Sequence, residues 1–263
     1  MDIIVYILAI LVGLSLGLIG GGGSILTVPI LVYIADIDPI AATSYSLFIV
    51  GISAFFGATS KIKKNEVDLK KGIYFGIPSI LSIFLTRKFI LDLIPDILIE
   101  FNNFTLTKPL FILIFFAFLM LFAGFNMLKN KKDIVADSSS NNIFVLVILG
   151  FVVGFIVGLV GAGGGFLIIP ALVSMLKMKM KDAIGTSLMI IALNSFFGIL
   201  GDLLNGVILD YTFLVSFSII SVIGIYLGNY LSNFISGQKL KKYFAYFVII
   251  VAIYMILKET LFL

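Results

Sequence analysis

The sequence predicts an all-α integral membrane protein made of two inverted-topology repeats of about five helical segments each, with a glycine-broken or re-entrant first helical pair in both. Three observations carry that prediction. The chain is 61% hydrophobic and 12% charged with a mean hydropathy of +1.22, more apolar surface than a soluble domain of 263 residues can hide. Its first half aligns with its second at a fixed offset. Equivalent loops of the two halves carry opposite charge.

Helices, not strands, follow from the apolar runs themselves. Barrel strands alternate apolar and polar residues, whereas LFILIFFAFLMLFAGF, from Leu110 to Phe125, is apolar all round. The segments fall near 3–19, 24–35, 40–60, 70–94 and 107–128, and again near 143–160, 165–176, 183–204, 211–235 and 241–260. KNKKDIVADSSSNN is polar and rich in Ser and Asn, which divides the chain into a first repeat (1–128), a cytoplasmic linker (129–142) and a second repeat (143–263). The start, MDIIVYILAILVGLSLGL, lacks a basic region and a small-residue cleavage site. It reads as a retained helix.

Sliding the chain by 141 residues aligns GLSLGLIGGGGSILTVPILV with GFIVGLVGAGGGFLIIPALV without a gap. From Gly13 to Gly57 there are 17 identities in 45 positions, against roughly four expected from composition. This is a duplication. It is not perfectly symmetric: Ser24 faces Gly165, Ser44 faces Gly185 and Tyr45 faces Thr186.

Loop charge sets the orientation. Asp36 and Asp38 in the first half stand against Lys177, Lys179 and Lys181 in the second, and Lys61, Lys63, Lys64, Lys70 and Lys71 stand against Asp202 and Asp210. A mixed loop with Arg87, Lys88, Asp92, Asp96 and Glu100 stands against Lys239, Lys241 and Lys242. By the positive-inside rule the halves are inserted upside down relative to each other, with the linker in the cytoplasm, both termini outside and the plasma membrane as location. The Lys clusters between apolar runs account for the net charge of +4, so no nucleic-acid partner is expected. The absence of His and Cys removes thiol chemistry, disulfides, His proton relays and soft-metal sites. No cofactor and no metal are expected.

Four consecutive glycines, Gly20 to Gly23, interrupt this pattern, and glycine is costly inside a helix. The apolar stretch after them, Ser24 to Ala35, has 12 residues, about 18 Å of helix against a core of about 30 Å. It cannot cross alone. The pair of segments is therefore bent or re-entrant, and its twin breaks at Gly161, Ala162, Gly163, Gly164 and Gly165. In transporters with inverted repeats such breaks lie near the midplane and offer helix N–H groups to a bound ion. Gly13, Gly17, Gly154 and Gly158 read instead as small-x3-small packing positions, and Pro29 and Pro170 as structural kinks or first-turn residues.

Two copies of Gly-x3-Gly-x2-Gly-x-Gly-Gly, each followed by a Pro-containing short helix and then Ala-x-x-x-Ser-Leu, make the chain resemble the sulfite exporter TauE/SafE family of membrane proteins. The resemblance covers both halves. It implies a secondary transporter of sulfite, sulfonates or related small sulfur-containing anions. Direction of transport, oligomeric state and the coupling ion, proton or sodium, are not legible in the sequence.

The expected binding site is one cavity between the halves, lined by Gly20, Gly21, Gly22, Gly23 and Ser24 and by Gly161, Ala162, Gly163, Gly164 and Gly165. Thr43, Ser44, Ser53, Thr186, Ser187 and Asn194 are the candidate side-chain ligands, with helix capping or interhelical bonding as the alternative for each. Arg87 and Asp202 fall near the outer ends of their segments, where snorkelling accounts for them, and an anion-attracting vestibule at Arg87 is the weaker reading. No buried carboxylate is expected. An intramembrane enzyme would need catalytic groups that the chain lacks. A membrane scaffold or assembly subunit is the alternative function, but it would not require two symmetric broken helices.

Overall fold

The computed structural model describes residues 3–101, 104–129, 143–176, 178–232, 234 and 237–261. Helices α1 (Ile3–Ile19), α2 (Gly22–Tyr33), α3 (Pro39–Lys63) and α4 (Leu69–Leu85) open the chain. A π-helical turn (Thr86–Ile90) and a short α5 (Leu91–Leu93) extend α4, and a hairpin of β1 (Ile97–Phe101) and β2 (Phe104–Thr107) leads into α6 (Lys108–Lys129). The second half has α7 (Ile143–Val160), α8 (Gly165–Pro170) with a π-helical turn (Ala171–Met175), α9 (Met180–Leu204), α10 (Tyr211–Leu231) and α11 (Gly237–Leu261). Among the described residues, six helical stretches are long and apolar enough to cross a membrane. The protein is thus an all-α, multi-pass membrane protein. The linker expected over 129–142 lies outside the described residues from position 130 onward.

Helix starts follow from capping chemistry. The Asp38 carboxylate accepts from the N–H groups of Ile40 and Ala41 at 3.0 and 3.1 Å, one residue ahead of Pro39 at the first helical position. Asp68 caps α4 through Lys71 N–H (3.0 Å) and Asp210 caps α10 through Phe213 N–H (3.1 Å). Two segments depart from the sequence reading. The continuous helix expected over 70–94 is wound into a π turn at Thr86–Ile90. The loop after it holds an antiparallel hairpin, ILIEF against FTLT, which its scattered acidic residues mask but its β-branched and aromatic residues favour.

Packing repeats with the halves exchanged. The central pair is α3 on α9; α4 also packs on α9 and α10 on α3; α1 lies along α10 and α7 along α4; α6 pairs with α11. The outer pairs approach through glycine. A side chain at Gly13 or Gly17 would strike the carbonyls of Ser221 and Ile225 on α10, and one at Gly150 or Gly154 would strike those of Phe75 and Ser79 on α4. The backbones therefore touch. Polar ties repeat in the same way: Ser53 Oγ donates to Ser221 Oγ at 2.8 Å and Asn194 Nδ2 donates to Ser79 Oγ at 2.7 Å. The Asp210 N–H donates to the Tyr45 hydroxyl at 2.8 Å, and the Asp68 N–H to Thr186 Oγ1 at 2.9 Å. For α3 and α9 the partners keep the offset of 141, and for α4 and α10 it becomes 142, as Asp68 and Asp210 or Ser79 and Ser221 show.

Two apolar cores result. One, around Leu47, Ile49, Phe75, Ile83 and Phe217, fills the eight-segment body. The other, around Phe116, Met120, Val248 and Ala252, seats α6 and α11 against Ile25 and Phe166 of the short helices.

Candidate functional site

The glycine runs provide backbone that other residues adopt only under strain. Gly20 closes α1 at φ 78°, and Gly161, Gly163 and Gly164 follow α7 at φ 70°, 63° and 76°. The α2 helix then starts at Gly22 behind Gly21, and α8 starts at Gly165 behind Gly164, with no side-chain cap at either start. The first-turn N–H groups of α2 are thus left for other acceptors.

The two breaks meet. Gly21 and Gly165 pack backbone on backbone, so that a Cβ on either would overlap the other. Gly20 abuts Ile184, and Gly161 abuts Thr43, the residue 141 positions before Ile184. Val50 and Ile191, again 141 apart, flank the crossing: a Cβ at Gly163 would lie 2.7 Å from Val50, and one at Gly165 would lie 2.6 Å from Ile191. Gly20 to Ser24 and Gly161 to Gly165 are all buried.

The candidate side chains divide into two groups. Thr43 reaches the second break, its Cα and Cβ lying against Gly161 while Oγ1 donates to the Ile40 carbonyl (2.7 Å), and Ser44 beside it stays buried. Ser24 Oγ donates to the Gly21 carbonyl at 2.8 Å and so turns back onto its own break. Ser187 Oγ likewise donates to the Ile184 carbonyl at 2.8 Å, beside Gly20's neighbour. Ser53, Asn194 and Thr186 use their polar groups in the interhelical ties described above, although Asn194 Oδ1 is buried without a partner among the described residues. Ser46, midway between Thr43 and Val50 on α3, also has a buried Oγ without a partner there.

A charged pair missed by the sequence reading lies beside the second break. Arg87 and Asp202 were expected to snorkel, yet their side chains are only 1% and 4% exposed. Arg87 Nη1 donates to Asp202 Oδ2 (3.0 Å), Asp202 Oδ1 (3.3 Å) and Thr43 Oγ1 (3.0 Å), with Ser44 Oγ at 3.5 Å. Asp202 is therefore a buried carboxylate, contrary to expectation. The π turn displaces Arg87 from the regular helical face of α4, and Gly201 gives its stem room, since a Cβ there would lie 2.9 Å from that of Arg87. Asn205 Nδ2 fixes the turn by donating to the carbonyls of Arg87 and Lys88 at 3.1 and 3.0 Å. The available signal was opposite charge in two apolar segments, because ionisable groups inside a membrane pair with one another. Among the described residues no three acidic side chains gather as a metal site would require.

The broken-helix crossing thus brings buried backbone, hydroxyls and one ion pair together between the two halves. Comparison with known proteins identifies the family. The family model described as "Sulfite exporter TauE/SafE" matches residues 5–255. A "Probable membrane transporter protein" of Xylella fastidiosa (strain Temecula1 / ATCC 700964) is 30% identical over 255 residues, covering 94% of this chain and 91% of the relative. The "Probable membrane transporter protein YunE" of Bacillus subtilis (strain 168) is 28% identical over 225 residues, covering 78% and 79%. No solved structure matches the chain. The chain belongs to the sulfite exporter TauE/SafE family, and is by that membership a membrane transporter and not an enzyme.

Proposed function

We propose that the protein is a secondary transporter of small anions, with sulfite, organosulfonates or related sulfur-containing anions as cargo, working by alternating access around a site between repeats 1–128 and 143–263. The observation that carries this reading is the contact of the two glycine breaks at Gly21 and Gly165. Two broken helices that meet bring the uncapped start of α2 to the second break, and sulfonate-like oxygens accept from helix-start N–H groups. The family description supports the sulfur chemistry. Cation transport would call for carboxylates at the crossing, and Asp202, the acidic side chain beside it, is held by Arg87.

The repeats are inverted in this reading. Support comes from the ties at the helix ends: Thr186 joins the end of α9 that carries Lys179 and Lys181 to the end of α4 that carries Lys70 and Lys71. Tyr45 joins the acidic Asp36–Asp38 end of α3 to Asp210. Basic ends gather on one side and acidic ends on the other, which supports, by the positive-inside rule, a reading with the basic side and the linker in the cytoplasm and both termini outside the plasma membrane. Single cysteines at the exposed Lys64 and Lys179 should react with an impermeant maleimide from the same side, because the chain has no other Cys. Labelling from opposite sides would refute inversion.

The functional test is a panel in proteoliposomes: sulfite, methanesulfonate, taurine, a monocarboxylate and divalent cations, each with a proton or a sodium gradient. Sulfite or a sulfonate should be moved in preference, and the effective gradient names the coupling ion. A preference for cations would overturn the reading.

A further inference from the structure

The Arg87–Asp202 pair is unevenly bonded. A guanidinium carries five N–H donors, and carboxylates usually take it as a fork, on two nitrogens at once. Here Asp202, Thr43 and Ser44 all crowd the two hydrogens of Nη1. Nε and Nη2, with three hydrogens between them, are buried without a partner among the described residues. Leaving charged donors unmet is expensive in a dry interior. Asp202 alone could satisfy more of them by moving to the other edge, yet the bonds to Thr43 and Ser44 hold the guanidinium with that edge turned away.

Nη2 of that free edge lies at the second break. A side chain at Gly161 would collide with Nη2 and with Thr43, so the left-handed turn at Gly161 lies directly against Nη2. From there the backbone passes through Gly163 and Gly164 to Gly165, which touches Gly21 of the first break. The equivalent place in the other half, 142 residues after Arg87, is Asn229, which carries no charge. The other half does hold a buried cation at the place equivalent to Asp202, Lys61, but its ammonium is taken by Glu66 at 2.7 Å.

We propose that Arg87 is the charged ligand of the transported anion, binding its oxygens on the Nε–Nη2 edge at the Gly161 turn while Asp202 and Thr43 hold Nη1. This rests on the anion-transport reading above and changes it in one respect: recognition depends on a fixed positive charge as well as backbone N–H groups. Two N–H groups on one edge match two oxygens of a sulfite or sulfonate, a geometry that lysine does not reproduce. Asp202 is the internal counter-charge. It keeps Arg87 in place when the site is empty and sets an upper limit on anion affinity by its own negative charge.

Titration calorimetry of the detergent-solubilised protein with sulfite and with methanesulfonate tests this. Arg87→Lys should weaken binding at least tenfold, and Asp202→Asn should tighten it severalfold by removing the competing charge. Because a lone charge left behind can destabilise the fold, Arg87→Met with Asp202→Leu is made as well; replacing both charges by apolar residues of similar volume is tolerated in buried pairs. That double variant should be monodisperse and bind neither anion. A monodisperse double variant with wild-type affinity, or unchanged affinity in Arg87→Lys and Asp202→Asn, would show a purely structural pair. Failure of the wild-type protein to bind either anion would instead remove the anion-transport reading and this inference with it.

Discussion

The interface of α4 with α9 and the interface of α10 with α3 are two copies of one design that differ at their charges. Both start with an Asp-capped helix tied by its N–H to a hydroxyl of the central pair, Asp68 to Thr186 and Asp210 to Tyr45. Both are bridged in the middle by one polar bond, Asn194 to Ser79 and Ser53 to Ser221. Near the far end the copies part. One holds Arg87 and Asp202 in contact, whereas the other has Asn229 and Lys61 at those places, and Lys61 turns away to Glu66 at 2.7 Å. Duplication thus retained what positions the helices and let the charged pairs diverge: an interhelical guanidinium–carboxylate pair in one copy, a local Lys–Glu pair five residues apart in the other. A scaffold held in common with unlike charges is what a single asymmetric ligand would select.

If the shared features are scaffold, disturbing either copy should have the same effect. The largest effect is expected at the glycine crossings. Gly13→Val and Gly154→Val each press a side chain onto a backbone carbonyl, of Ser221 and of Ser79. Both should exceed the ~1–3 kcal/mol typical of overpacking a core, because backbone yields less than side chains do. Loss of the monodisperse peak and a large fall in melting temperature would appear in both variants. A mild Gly154→Val beside a disruptive Gly13→Val would show that the halves are not equivalent supports.

The smallest effect is expected at the mid-helix ties. Interhelical hydrogen bonds in membranes average only about 0.6 kcal/mol, because the separated helices find other partners. Ser53→Ala and Asn194→Ala should each lower thermal stability by about that amount while leaving anion affinity within twofold. Asn194 sharpens the comparison, since its Oδ1 has no partner among the described residues. A selective loss of affinity in Asn194→Ala would move that residue from scaffold to ligand.

What the sequence disclosed follows from which forces act locally. The ten apolar segments were legible because a bilayer imposes composition and length on each helix separately, and the breaks because adjacent glycines signal left-handed backbone. The packing of Gly13 and Gly154 was legible as small-x3-small spacing. Arg87 with Asp202 was not, since pairing depends on the π turn and on the α4–α9 contact, and no local pattern encodes either. The hairpin at Ile97–Thr107 was hidden by acidic residues that read as loop. The contact of Gly21 with Gly165 was expected only as convergence of two breaks, because closest approach is decided by tertiary packing.

The central claim, one anion at the meeting point of the two breaks, is tested most directly by locating an anion. Selenite has the shape and charge of sulfite and scatters anomalously at the selenium edge, so crystals grown with it would show the bound ion without interpretation of side-chain density. The account predicts one anomalous peak per molecule beside Gly161, within hydrogen-bonding distance of the Arg87 Nε–Nη2 edge. A peak elsewhere in the molecule, or none at selenite concentrations that saturate transport, would contradict it.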